Sequence, residues 1–416
     1  MANSPDHDLQ RRPLVDIDHT SPEYADNVQA ITRDLRTRCP VAFSEQHGGY
    51  WLITDHDNCA RALRDDAVFS SLHAAEEIDG VRYGGVNIPE APYQNALIEM
   101  DPPEWNVFRR VLNPVFSPPR VEALRPHVAE FATQCVDNVI ETGTIDFVLD
   151  LANPVPAMVT LLILGLPVED WAKYAEPTHE VVYTRPGTLE FDKAVAGQQW
   201  MFQTLYQEIV DRRASPRDDV LTELVTTEVD GRTLTDEELL SMLNTVINGG
   251  VDTTTSLLAN AIEHLDRDRE TRRLLIDAPE LVPSATEEFL RYFSPVQAFS
   301  RTVIQDTELG GQRLERGDRV LLCFASANRD EAQFPDPDSF VPDRFPNRHM
   351  AFGLGKHRCI GSTLARHQFA IVLDQVLARM PDYEIDRERT ERYPSIGIVN
   401  GYIRMPAGFT PGPRSQ

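Results

Sequence analysis

From Pro103 to about Asp277 apolar residues return every three or four positions. They fall in runs of roughly 12–25 residues, a spacing that predicts successive helices. Ser117-Pro118-Pro119 and Gly187 punctuate the runs. A long helix is predicted to open at Thr235, which serves as N-cap with Glu238 at the capping-box position. Leu239, Leu240, Leu243, Val246 and Ile247 carry its apolar face, and it is expected to continue towards Arg267. Further helices are expected over Ser21–Arg38, from Asp55, and from Cys359 to Met380, with short strands at Tyr50–Thr54, Arg301–Ile304 and Arg319–Leu322. Residues 71–99 and Gln333–Arg348, rich in Gly, Pro and Asp, read as long irregular segments. The pattern predicts a mainly α protein with a minor antiparallel β region. Residues 1–20 are expected as a flexible lead-in and residues 21–416 as a single domain.

Charge narrows the function. Against 40 Lys+Arg stand 65 Asp+Glu, a formal −25 over 416 residues. Phosphate backbones demand a cationic surplus, so nucleic acid is not an expected partner. The most apolar stretch, Val155 to Val168, is interrupted by Pro156, Gly165 and Pro167. It falls short of the about 20 residues a membrane span needs and reads as buried helix. The five cysteines (Cys39, Cys59, Cys135, Cys323, Cys359) show no C-x-x-C spacing, and the first residues lack an apolar signal segment. A cytoplasmic location is expected.

The richest stretch is Ala351–Gly361, AFGLGKHRCIG. Gly353, Gly355 and Gly361 permit positive φ and close approach to a flat ligand, and Phe352 offers a ring to pack on it. His357 and Arg358 offer donors for carboxylates. Cys359 precedes a helix, where backbone N–H groups favour a thiolate suited to an axial metal position. Taken alone, such a cysteine is most often a buried core residue. A second unusual stretch is Thr245–Thr254, TVINGGVDTT. Two glycines inside a helix cost about 1 kcal/mol each relative to Ala, so Gly249 and Gly250 call for a ligand-facing reason. Thr253, bonding back to the Gly249 carbonyl, would bend the helix there.

Ala351–Gly361 matches F-x-x-G-x-H-R-C-x-G at every fixed position, and in this the chain resembles the cytochrome P-450 family, soluble bacterial members above all. The resemblance extends in order over about residues 20–410. It implies that fold, with haem b between the long central helix and the Cys loop, and an axial thiolate from Cys359. It implies cofactor contacts from Phe352, Gly353, Gly249 and Gly250, and propionate binding by Arg109, Arg301 and His357. Trp105 stands where many relatives carry a propionate-binding His, so its contact is left open. Asp252 and Thr253 match the acid–alcohol pair that manages proton delivery. Glu288 and Arg291, with Arg344 from VPDRF, match a structural network that fixes the Cys loop.

The implied activity is monooxygenation: one atom of O₂ enters a small-to-medium, mainly apolar substrate of terpenoid, alicyclic or aromatic type. Electrons are expected from NAD(P)H through a reductase and a ferredoxin or flavodoxin-type donor. With Arg344 and Arg358 assigned to the interior, Arg348, Lys356 and Arg366 remain as a basic docking patch. Ile88, Tyr93, Thr245, Asn248, Val296, Phe299, Ile398 and Val399 are the pocket candidates, with Thr245 and Asn248 as polar anchors. Peroxide-driven or oxidative-coupling chemistry and a non-catalytic haem sensor or recruitment module are the rival readings.

Overall fold

The computed structural model describes residues 12–91 and 93–415. Thirteen helices of nine or more residues dominate the described chain: α1 (Pro22–Arg38), α2 (His56–Arg64), α3 (Glu104–Leu112), α4 (Arg125–Val139), α5 (Pro154–Leu164), α6 (Trp171–Tyr183), α7 (Leu189–Gly197), α8 (Gln199–Ala214), α9 (Asp236–Gly250), α10 (Asp252–Arg267), α11 (Arg269–Asp277), α12 (Val282–Phe293) and α13 (Ser362–Arg379). A six-stranded sheet holds β1 (Leu14–Val15), β2 (Val41–Ser44), β3 (Tyr50–Ile53), β4 (Phe69–Ser70), β5 (Ala298–Val303) and β6 (Arg319–Cys323), in the order β1-β2-β3-β6-β5-β4.

This sheet is mixed. β2 and β3 pair antiparallel, as do β6 and β5, and β5 and β4, whereas β1 runs parallel to β2 and β3 parallel to β6. The lead-in expected over residues 1–20 joins the fold earlier than the Pro-rich sequence indicates. Leu14 and Val15 extend the sheet, and His19 and Thr20 are buried. Residues 1–11 lie outside the described residues.

The main apolar core is helical and gathers residues of α4, α5, α9, α10, α12 and α13. Val155–Leu164 is buried inside it apart from the half-buried Leu162. Phe147–Leu164 is long and apolar enough to span a membrane, yet 83% of it is buried within the fold. Thr235 caps α9 with the full capping box, its hydroxyl accepting from Glu238 N and the Glu238 carboxylate accepting from Thr235 N. The central helix then breaks at Val251 (φ −88°, ψ −72°) into α9 and α10 instead of running unbroken to Arg267. The hydroxyl of Thr253 donates to the Gly249 carbonyl at 2.8 Å beside the break. That bond competes for the backbone acceptor and bends the helix.

Candidate active site

Residues 350–361 form a loop leading into α13. Two glycines there hold left-handed backbone, Gly353 (φ +65°) and Gly355 (φ +69°). A side chain at Gly355 would also drive its Cβ to 2.4 Å from the Leu63 carbonyl oxygen. Gly361 departs from expectation: its φ is −82°, and it caps α13 in an ordinary conformation. Backbone bonds from Gly353 N to Met350 O and from Cys359 N to Phe352 O fold the loop on itself. Among the described residues Cys359 is the one exposed cysteine. Burial nonetheless raises its thiol pKa, outweighing the Gly361 N–H and the charges of Arg109, Arg366 and Arg358. Both facts hold for a side chain facing an interior space walled by protein. The Gly361 N–H and the neighbouring guanidinium charges work against that burial and favour the thiolate.

Cationic and N–H groups surround this loop. Arg301, on β5, is 4% exposed and donates only to its neighbour Ser300 O at 2.7 Å, with no salt bridge among the described residues. Burial lowers its pKa to about 10. Burial and the charges of Arg301 and Arg109 push His357 down to about 3. The buried Nε2 of His357 and Nε1 of Trp105 have no partner among the described residues, and the two rings meet edge-on at 5.8 Å. Arg109 stacks over Trp105 and donates to Arg358 O. A buried guanidinium and two orphan ring nitrogens without acceptors are costly. They call for an anion.

Beneath the loop lies the ion network. Glu288 and Arg291 are fully buried and pair through two bonds of 2.7 and 2.8 Å, while Arg344 Nε reaches both Glu288 oxygens at 3.0 and 3.1 Å. Val341 N and Asn347 Nδ2 also donate to Glu288. Arg291 continues to Asn328 O, whose side-chain carbonyl accepts from Met350 N at 2.7 Å. The chain of bonds thus ends at the first residue of the Cys loop. Asn328 and Asn347 carry no motif that marks them in the sequence.

On the central helix Thr245, Asn248, Gly249 and Thr253 are half-buried or exposed among buried neighbours, forming one stripe at i, i+4 spacing. The two glycines part company. A Cβ at Gly249 would meet nothing within 4 Å, whereas one at Gly250 would lie 2.6 Å from Thr160 Oγ1. Gly250 therefore serves the packing of α9 on α5 and does not share the open face. Asp252 is 1% exposed. Its Oδ1 accepts from His179 Nδ1 at 2.5 Å and from the Tyr393 hydroxyl at 3.1 Å. Neither partner was legible in the sequence, since each is a lone residue far along the chain.

The pocket candidates divide likewise. Val296, Phe299 and Ile398 are half-buried, but Ile88 packs in a core with Leu52 and Leu321, and Val399 packs with Tyr24 and Tyr393. The two are core residues, because their segments turn inward to cover β-strand and α1 side chains. Tyr93 donates to Gln198 Oε1 at 3.0 Å and meets Phe202 edge-on. Thr245 spends its hydroxyl on Ser241 O, while Asn248 Oδ1 is buried without a partner among the described residues.

Similarity to known proteins settles the family. The family model described as Cytochrome P-450 matches residues 275–381. A steroid C26-monooxygenase of Mycobacterium tuberculosis is 35% identical, covering 87% of this chain and 98% of the relative. A mycinamicin IV hydroxylase/epoxidase of Micromonospora griseorubida is 32% identical over 86% of this chain and 88% of its own length. The chain belongs to the cytochrome P-450 family. A solved structure, CYP109E1 from Bacillus megaterium in complex with testosterone, superposes with a TM-score of 0.83 at 30% identity, covering 94% of this chain and 99% of that one.

This cytochrome P-450 is accordingly a haem-thiolate monooxygenase, fed with electrons that originate in NAD(P)H and arrive through a redox partner such as a ferredoxin. The haem, when bound, supplies dioxygen activation and the oxidising equivalent. The residues present fit it: the unpaired Arg301 and the orphan nitrogens of His357 and Trp105 offer what carboxylates need. The docking patch needs revision. Lys356 pairs with Asp66 at 2.5 Å, and Arg366 grips Glu287 at 2.5 and 2.7 Å while stacking over Phe352. Only Arg348 of the three has no carboxylate partner among the described residues, and Arg358, expected inside, is exposed. Acidic neighbours supplied by the fold absorb the other two charges.

Proposed function

We propose that Cys359 is the axial ligand and that Arg109, Arg301 and His357, joined by Trp105 Nε1, hold the two propionates. Asp252 and Thr253 deliver protons at the face opened by Gly249. The observation that carries this reading is the bond from Thr253 Oγ1 to Gly249 O at the helix break. The Thr253 hydroxyl lies on the half-exposed stripe of Thr245, Gly249 and Thr253. Thr253 holds its proton on a backbone carbonyl and releases it by rotating χ1, so the hydroxyl is oriented before reaction. The fold from Leu14 onward acts as one catalytic unit in the cytoplasm.

The substrate is a medium-sized, mainly apolar, ring-based molecule with at least one hydrogen-bonding group. Val296, Phe299 and Ile398 line its apolar contacts, and Asn248, whose buried Oδ1 lacks a partner among the described residues, anchors a donor. The names of the steroid C26-monooxygenase and of the testosterone complex support this size and polarity. An acidic ferredoxin or flavodoxin docks where Arg348 and Arg358 are exposed, and reversing Arg348 slows electron transfer most at low salt.

The test is the absorption spectrum of dithionite-reduced protein under carbon monoxide. A strongly red-shifted Soret band, lost in Cys359→Ala, is the expected result; an imidazole-type spectrum, or an unchanged band in the variant, overturns the ligand assignment. A steroid panel then reads substrate binding from the spin-state shift. Thr253→Ala retains haem and ligand binding but diverts electrons to peroxide, by about 10-fold or more in product per NAD(P)H. Unchanged product yield there refutes its role.

A further inference from the structure

We propose that His179 and Tyr393 are positioning residues for Asp252, and that His179 ties this carboxylate to the seating of α6. The inference rests on the proton-delivery reading of Asp252 given above. The three residues come from distant parts of the chain: His179 from α6, Asp252 from the first turn of α10, and Tyr393 from the segment after the short strand Glu391–Arg392. All are buried, at 6%, 1% and 3% exposure.

Two donors converge on one carboxylate oxygen. His179 Nδ1 lies 2.5 Å from Asp252 Oδ1, the Tyr393 hydroxyl lies 3.1 Å from the same oxygen, and that hydroxyl is also 3.1 Å from His179 Nδ1. The rings of His179, Tyr183 and Tyr393 pack mutually at 5.3–5.4 Å. Burial and the Asp252 charge push the Tyr393 phenol well above its ordinary range, so it remains a neutral donor.

The other oxygen decides the role. Asp252 Oδ2 is buried with no partner among the described residues, as is His179 Nε2. A buried carboxylate kept for architecture saturates both oxygens, as Glu288 does with Arg291, Arg344, Val341 N and Asn347. Asp252 spends one oxygen on being held and keeps the other for exchange. The hold depends on α6, which packs against both α9 and α10 and contains Pro177 two residues before His179. A proline inside a helix removes one backbone donor and weakens that turn. Displacing α6 therefore releases one of the two donors that fix Asp252.

The experiment uses the haem-loaded enzyme. Hydrogen–deuterium exchange over residues 171–183 is compared in wild type, His179→Phe, Asp252→Ala and the double variant. Phe keeps the ring packing and removes the Nδ1 donor. Exchange should rise several-fold in each single variant and little further in the double, as expected of one shared interaction. With the steroid giving the largest spin-state shift, His179→Phe should lower product per NAD(P)H by about 3- to 10-fold and enlarge the solvent isotope effect. Tyr393→Phe should cost about 2-fold, and His179→Asn, which restores an N–H near Nδ1, should recover much of the loss. Unchanged exchange in Asp252→Ala overturns the tie to α6. Wild-type yield and isotope effect in His179→Phe, with Asp252→Asn impaired, overturn the positioning role and leave Asp252 its own. Wild-type yield in Asp252→Asn overturns both.

Discussion

Glu288 and Asp252 are both buried carboxylates in this fold, and they are held in opposite ways. Glu288, below the Cys loop, accepts from two guanidinium groups, one side-chain amide and one backbone N–H, leaving neither oxygen free. Asp252, at the broken central helix, accepts on one oxygen only among the described residues. The first side is over-determined and holds a loop still; the second is held just enough to stay in place. Substitution should separate them sharply. Glu288→Gln strands Arg291 and Arg344 without a counter-charge, and losing one partner of a buried pair costs about 3–5 kcal/mol. Soluble holoprotein should be largely lost, or its thermal midpoint should drop steeply. Asp252→Asn keeps an acceptor for Tyr393 and should unfold within a few degrees of wild type. Similar losses in the two variants would erase the distinction.

A smaller contrast lies within one dipeptide. Gly250→Ala places Cβ 2.6 Å from Thr160 Oγ1, and that hydroxyl is fixed by its bond to Pro156 O at 2.8 Å. Overpacking of this kind costs about 1–3 kcal/mol. Gly249→Ala meets open space and gains helix propensity, so stability should hold or rise by about 0.5–1 kcal/mol while spin-state shifts on ligand binding weaken. Urea unfolding of the two variants, with ligand titration of the second, checks both halves. Equal destabilisation would mean that both glycines serve packing.

The same contrast explains what the sequence disclosed. The Cys loop, the Thr253–Gly249 bond and the Glu288–Arg291–Arg344 set are local patterns or matches to a family block, and residue spacing reports them directly. His179, Tyr393, Asn328 and Asn347 reach their partners across the fold, so no window of sequence contains the interaction. Gly250 shows the limit from the other side: two adjacent glycines look equivalent until Thr160 of α5 is placed against one of them. Lys356 and Arg366 mislead similarly, because their charge balance depends on Asp66 and Glu287, which the fold brings from elsewhere.

Glu287, next to Glu288 in sequence, gives the mildest test of the over-determined side. Burial alone would raise its carboxyl, but hydrogen bonds from Arg366 and His349 bring it down to about 2 from an ordinary 4.5. A folded pKa below the unfolded one means the unfolded chain takes up protons first as pH falls. The contribution is therefore complete above about pH 4.5 and disappears as pH drops towards 2. With the side chain about one-third exposed, about 1–2 kcal/mol is at stake. Glu287→Gln should be less stable than wild type at pH 6 by that amount, and the two curves should converge between pH 4.5 and 2 when urea midpoints are plotted against pH. The contact also anchors α13 to α12 beneath the Cys loop through Arg366, which stacks on Phe352. A gap between the curves that stays constant with pH would show that Glu287 contributes by packing, and that the clamp on this side of the molecule rests on Glu288 alone.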